Sequence, residues 1–436
     1  MNTRSQVNLC IKQASFCYNM MRFLLPVILC GLSIPAFCPV AKAEQWAQWR
    51  GPDSNGVALQ QNASTQWSAT DGIRWKTPLP GSGISSPIIW NNRVFVTASD
   101  GVALNELHII CLSRQDGKLL WHRRLWGTAP TRYHGTKSSM ASPTPITDGQ
   151  HLYAFFGTGD AFCVDLNGNL VWHRSLASEY GKFENRFSAT SSPILFKDLL
   201  LVQCDHYGNS YVVALNKNTG VNVWRNERPD SWLSWSSPRL APVSGSSAVE
   251  LILCGSLRVE GLDPATGKPL WTVSGMRHEC IPTPVFGHGL IYAVSGPKGP
   301  TLAIRPGGRG DVTQSHVKWE YRRGAPFVPS AILVGDYYYL IDDQGITSCL
   351  NAATGKRAWQ KRLPGGYTAS PVATRDHIYF ANEGGQVTVI RAHTPRYQQV
   401  ARNDIGEPIF ASPSLASGDL FVRTSRHLWC IGGQTN

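Results

Sequence analysis

The sequence predicts an all-β chain, an eight-bladed β-propeller of four-stranded antiparallel blades. Three observations carry this. First, a small residue, a branched aliphatic, a Gly-containing turn and a Trp recur at a period of roughly 40 to 50 residues, the signature of a repeat architecture. The plainest copies are Cys111-Leu112…Asp116-Gly117…Trp121, Ala214-Leu215…Thr219-Gly220…Trp224, Gly261-Leu262…Thr266-Gly267…Trp271 and Cys349-Leu350…Thr354-Gly355…Trp359, with the Trp ten residues after the small residue. Second, a Ser/Thr-Pro step before an apolar run recurs out of phase at Pro87, Pro145, Pro193, Pro238, Pro284, Pro371 and Pro413, with Ala331 in the sixth place. Third, only 16% of residues are charged, and 41 Gly and 28 Pro suit tightly turned β-structure.

Each copy reads as four strands, A to D. Strand A carries the Pro, B is aliphatic and aromatic, C carries the small residue and D the Trp. Pro cannot donate to a ladder and belongs on an edge strand. In a propeller blade the innermost strand is such an edge, facing the central channel. The Pro positions therefore place A innermost and favour radial blades over a flat sandwich. The Trp on D is expected to pack between neighbouring blades, near the Gly turn of its own or the next blade. The eighth copy ends at Cys430-Ile431-Gly432-Gly433 without a D strand. Ile73-Arg74-Trp75-Lys76-Thr77, just before blade 1, is expected to supply it and close the ring. Closure removes the dangling sheet edge. Two copies depart from the pattern. Blade 5 inserts Arg305 to Lys318 before Trp319, and blade 7 has Thr394-Pro395 for Thr-Gly and Gln399 in the place of Trp.

Residues 1–43 read as a signal peptide, with 1–19 readable as a misassigned start because Met20 and Met21 precede the apolar run. Arg22 precedes that run, Phe23 to Phe37, and Ala41-Lys42-Ala43 offers a small-x-small cleavage pattern. Export to the periplasm or the outside is thus expected. Leu29 before Cys30 and Phe37 before Cys38 are too large for a lipidation site. Residues 44–72 form an N-terminal extension and 73–433 the propeller. Cleavage removes four basic residues and no acid, so the net charge falls from +12 to +8. That modest value does not point to nucleic acid. Seven Cys remain, and Cys111, Cys163, Cys349 and Cys430 fall on the repeat's small position, where Cys acts as a small buried hydrophobe. No CxxC occurs, and the twelve His show no metal-ligand spacing. His122 and His173 follow the blade Trp in Trp-His-Arg triplets, which gives them a structural reading.

With A innermost, the D–A and B–C connections share one face. The other face has bare hairpins, such as Thr147-Asp148-Gly149. Loops on a rigid scaffold are where binding residues concentrate, and the first face is the richer one. Its ligand-binding candidates are Arg132, His134, Lys137, Arg186, His206, Trp235, Arg277, His278 and Arg323. Aromatics beside Arg and His suit an anionic or planar ligand, an acidic peptide or a glycan. No catalytic residue and no metal ligand is assigned, and some of these cations are expected to pair with Glu179, Glu184, Asp205 or Glu407.

The repeat over residues 73–433 resembles the PQQ-like (quinoprotein-type) family with its tryptophan-docking motif. Trp46-Ala47-Gln48-Trp49-Arg50-Gly51-Pro52 and Gly296-Pro297-Lys298-Gly299-Pro300 look like exported members of unassigned function. The eight-bladed count is similar to quinoprotein alcohol dehydrogenases and to the outer-membrane-protein assembly lipoprotein. The dehydrogenase likeness implies PQQ with calcium, an adjacent Cys-Cys pair, a Glu/Asn/Asp calcium set and a catalytic Asp. This chain has no Cys-Cys pair, and its available acids, Asp205, Glu279, Asp342, Asp343 and Glu383, match no such motif. The expectation is a non-catalytic binding scaffold for a protein, glycan or small anion; the alternative is a PQQ-dependent dehydrogenase with an atypical site.

Overall fold

The computed structural model describes residues 45–59, 62–129 and 135–432. Residues 1–43, read from the sequence as a signal peptide, and the candidates Arg132 and His134 lie outside them. The described chain is nearly all β, and its sheets form the eight four-stranded blades of a propeller. Blade 1 runs Ile88–Trp90, Arg93–Asp100, Glu106–Ser113 and Leu119–Trp126. Blade 8 closes as the sequence predicts. Ile73–Pro78 lies antiparallel to His427–Ile431, with Trp75 opposite Cys430.

Strands B and C are buried on both faces because each blade is sandwiched between two others. Leu200, Leu201 and Val202 show this as a continuous apolar run. The small residue and the Trp of the repeat form a cross-strand pair, ten residues apart in most blades, nine in blade 2 and sixteen across the blade 5 insertion. Trp121 faces Cys111, Trp172 faces Cys163, Trp224 faces Ala214, Trp319 faces Ala303 and Trp359 faces Cys349. A small residue is needed there because the indole lies across the blade. All seven described cysteines are buried free thiols. Burial pushes Cys111, Cys163 and Cys349 up to about 12, so they stay protonated and inert.

Each indole docks on the next blade. Trp121 Nε1 donates to Leu166 O at 2.9 Å, Trp172 to Lys217 O at 2.8 Å and Trp75 to Arg114 O at 2.8 Å. The ring then covers the Gly of that blade's C–D turn. A Cβ on Gly168 would stand 2.8 Å from the Trp121 ring, and Gly168 has φ +83. Gly168→Ala is therefore expected to cost about 1–3 kcal/mol through strain and overpacking, read as a lower urea midpoint at unchanged slope. The departures follow the same logic. Trp271 faces an insertion in place of a turn, and its Nε1 donates to Glu250 Oε2 at 2.8 Å instead. In blade 7 the residue paired across from Val389 is Ala401, while Gln399 pairs with Ile390. Ala401, not Gln399, thus occupies the Trp position, because the turn there is longer by two residues.

Candidate functional site

The inner strands build a channel along the axis. The hydroxyl of the Ser or Thr before the Pro accepts the N–H of its counterpart in the preceding blade. Ser86 N donates to Thr144 Oγ1, Thr144 N to Ser192 Oγ and Ser192 N to Ser237 Oγ at 2.9–3.0 Å. Thr283 N donates to Ser330 Oγ, Ser330 N to Ser370 Oγ and Ser370 N to Ser412 Oγ at 2.8–2.9 Å. The repeated Ser/Thr-Pro step is thus a hydroxyl belt that ties blade to blade around the axis. Because strand side chains alternate, the residue two places earlier faces the channel as well. Those positions are Ile84, Ser142, Thr190, Trp235, Ile281, Val328, Thr368 and Phe410, and all eight line one axial cavity of about 310 Å³.

The N-terminal extension closes one end. Trp46, fully buried, pairs with Ile89 of blade 1. Arg239 of blade 4 donates to Asp53 O, Asn55 Nδ2 donates to Phe286 O of blade 5 at 3.1 Å, and Val57–Ala58 adds to the inner strand of blade 7. The segment crosses the axis on the A–B hairpin side. Trp49 forms the floor of the cavity, its Nε1 donating to Thr283 Oγ1 at 2.8 Å. Arg50 is buried without a carboxylate, donating from Nη2 to Ala331 O at 2.5 Å and Asn55 O at 2.9 Å. Burial lowers it to about 9. The cavity therefore opens only toward the D–A and B–C loops.

Its wall is mostly apolar. Phe187 and Trp235 meet with ring centroids 5.5 Å apart, and Phe327 and Phe410 stand on the far side. Hydroxyls of the belt interrupt it all round, and the charged groups gather on one edge. Lys137 Nζ pairs with Glu383 Oε1 at 2.7 Å, and Thr368 Oγ1 donates to the same oxygen at 2.7 Å. Asp343 Oδ2 accepts the Phe327 N–H at 2.8 Å. Burial raises the Asp343 pKa, against the lowering by the N–H groups of Phe327 and Val328 and by Lys137.

Of the candidates read from the sequence, Lys137 and Trp235 line this cavity. Arg186 is beside it, over the Phe187 ring at 5.4 Å and paired with Glu279. His206 is buried rather than displayed. It packs on Phe183, and its Nδ1 accepts the Gly208 N–H at 3.1 Å. His278 is exposed and stacks on Trp232 at 5.8 Å, and Arg277 is exposed next to it. Arg323 sits away from the axis, in an open cleft with Glu320, Arg322 and Arg357. His122 and His173 are bound within the blades, the first 2.9 Å from His108 Nδ1 and the second 2.9 Å from Asp160 Oδ1. Trp49, Phe187, Phe327 and Phe410 were missed. The residue two before each Ser/Thr was a readable signal for Phe410; nothing periodic marks Trp49.

Matches to known proteins follow this geometry. The family profile described as outer membrane protein assembly factor BamB matches residues 54–210, 182–361 and 257–398. The chain belongs to this family. Among solved structures, BamB from Moraxella catarrhalis is 15% identical, with TM-score 0.59 over 83% of this chain and 97% of that one. Quinohemoprotein alcohol dehydrogenase from Comamonas testosteroni is 13% identical, with TM-score 0.65 over 90% of this chain and 81% of that one. The computationally designed Ika8 protein gives TM-score 0.57 at 12% identity, over 82% of this chain and 99% of that one. At these identities the likeness is one of fold, and a designed protein and an enzyme share it equally. No curated protein matches the sequence. Among the described residues, no helix is long and apolar enough to cross a membrane, and no three His, Cys, Asp or Glu side chains are grouped to hold a metal.

Proposed function

We propose that this chain is an exported, non-catalytic binding propeller that takes an apolar group of its partner into the axial cavity. The supporting observation is the cavity itself. It is concave, apolar-walled, floored by Trp49, and edged by Lys137, Glu383 and Asp343. Such a pocket suits an aromatic or aliphatic side chain presented by a protein, with the D–A loops around it reading the flanking residues. The family description, an outer membrane protein assembly factor, supports both export and a protein-binding role. Trp235→Ala is expected to weaken binding of the dye anilinonaphthalene sulfonate at least ten-fold, measured by fluorescence titration, while Arg323→Ala leaves it unchanged. Equal loss in both variants would sink the cavity as the site.

The dehydrogenase alternative rests on the fold. A quinone bearing carboxylates needs cations, and calcium needs several converging oxygens. Among the described residues, Lys137 is the one cation lining the cavity, and it is paired. Asp205 is tied to Arg228, Glu279 to Arg186, Asp342 to its own turn, Asp343 to the Phe327 N–H, and Glu383 to Lys137 and Thr368. This donor set does not fit the cofactor. Turnover of an alcohol or sugar by the purified chain with added quinone and calcium would overturn the binding-protein reading.

A further inference from the structure

The charged edge of the axial cavity does not balance. Among the described residues one cation, Lys137, lines it, and two carboxylates stand with that cation, Glu383 and Asp343. Glu383 takes the Lys137 ammonium on Oε1 at 2.7 Å, and the Thr368 hydroxyl donates to the same oxygen at 2.7 Å. Asp343 has no cation in contact. Its Oδ2 accepts the N–H groups of Phe327 at 2.8 Å and Val328 at 3.4 Å, and Lys137 acts on it only through space. Burial raises its pKa, as for a carboxylate that would gain from a counter-ion. One positive and two negative groups leave the edge one charge negative.

This charge selects the occupant. A group that seals the mouth also strips water from Asp343. A neutral aliphatic or aromatic group would leave that carboxylate buried and unpaired, which is costly. An acidic group would add repulsion. A cation on an apolar stem answers both the carboxylate and the wall. Phe327 brings the two together, since its N–H holds Asp343 while the residue lines the cavity. A cation beside such rings gains further from their quadrupoles. The carboxylate also chooses between the two long cationic side chains. A guanidinium is held best by both oxygens at once, and Oδ2 already serves two N–H groups. An ammonium is a compact point charge on a flexible aliphatic stem, and one oxygen suffices for it, as Lys137 shows on Glu383.

We propose that the group a partner protein inserts into the axial cavity is a lysine side chain, its stem against the aromatic wall and its ammonium at Asp343. The proposal rests on the cavity being the binding site, as argued above, and narrows what enters it.

The probes are capped pentapeptides with lysine, norleucine or arginine at the centre of four glycines, titrated calorimetrically into the purified protein. Lysine is expected to bind about ten-fold or more tighter than norleucine, which keeps the stem and lacks the ammonium. It should also bind tighter than arginine. These comparisons need no variant. Asp343→Asn keeps an oxygen for the Phe327 N–H and should abolish the preference for lysine over norleucine, while Trp235→Ala should weaken both peptides. If norleucine binds as tightly as lysine and Trp235→Ala weakens both, the lysine assignment falls and the cavity stands. If Trp235→Ala weakens neither, the cavity falls as the site and this proposal with it. A tighter arginine peptide, lysine binding unmoved by Asp343→Asn, or no binding of any peptide would each overturn the lysine assignment, the last leaving the dye titration to judge the cavity.

Discussion

Replacing Asp205 by asparagine should lower the unfolding free energy by up to about 3–5 kcal/mol, the usual cost of breaking a buried ion pair by removing one partner. The partner is Arg228, whose side chain is 1% exposed. Its Nε donates to Asp205 Oδ1 at 2.9 Å and its Nη2 to Oδ2 at 3.2 Å. Nη1 reaches Glu260, which also accepts from Arg258 Nε at 2.9 Å. Asp205 further accepts from Gln203 Nε2 at 2.7 Å and Ser231 Oγ at 3.1 Å. Asp205 belongs to the B–C loop of blade 3, Arg228 to the D–A loop that follows it, and Glu260 to strand C of blade 4. The network therefore clamps blades 3 and 4 together. Asparagine keeps the shape and one acceptor but removes the charge, so Arg228 stays buried with Glu260 as its remaining acid. Urea unfolding followed by tryptophan fluorescence measures the loss. A loss below about 1 kcal/mol, the range of exposed pairs, would show that the clamp is solvated. An Asp205→Asn, Arg228→Met double mutant should recover part of the loss, since the two sites share one interaction.

This clamp also shows where sequence reading stops. The Trp-to-small spacing was legible because it is a cross-strand pair repeated blade after blade: Cys111 with Trp121 and Cys163 with Trp172 obey one geometry. The closing strand was legible because Trp75 pairs with Cys430 in the same way. The Ser/Thr-Pro step was legible as a strand marker, yet its hydroxyl belt was not, since that belt joins residues some 45 positions apart, as Ser192 joins Ser237. His206 was taken for a surface candidate because it lies in a B–C loop. Its burial depends on Phe183 from the neighbouring loop, a contact with no periodic trace. The cationic face read from the loops is in the fold a set of paired charges, Lys137 with Glu383 and Arg186 with Glu279, around an apolar centre. The N-terminal extension across the axis was least legible. Trp46 to Ala58 touches blades 1, 4, 5 and 7 through contacts each used once.

A chain that begins at Leu79 is expected to lose cooperative folding. It lacks both the segment that crosses the axis and the strand that closes blade 8. Trp75 is 8% exposed and covers the blade 1 turn at Gly117. Burying about 150–250 Å² of indole is worth on the order of 4–6 kcal/mol as an upper bound. That is comparable with the total stability of about 5–15 kcal/mol typical of a folded domain. Arg74 Nη1 bridges both oxygens of Asp419 at 3.0 Å, and Lys76 Nζ reaches Glu407 Oε1 at 2.8 Å. Without residues 73–78, Asp419 is left buried with Arg114 as its remaining cation, and the edge at His427–Ile431 is bare. Blade 8 would still hold blade 1 through Arg423, which donates to Ser85 O and Thr97 O at 3.2 and 2.7 Å, but Arg423 has no carboxylate of its own. A peptide of residues 45–78 added in trans should restore a cooperative melt, because the strand it supplies pairs along one edge and needs no chain connection to Leu79. A truncated chain that melts cooperatively at the parent temperature would show instead that the inner hydroxyl belt alone holds the ring.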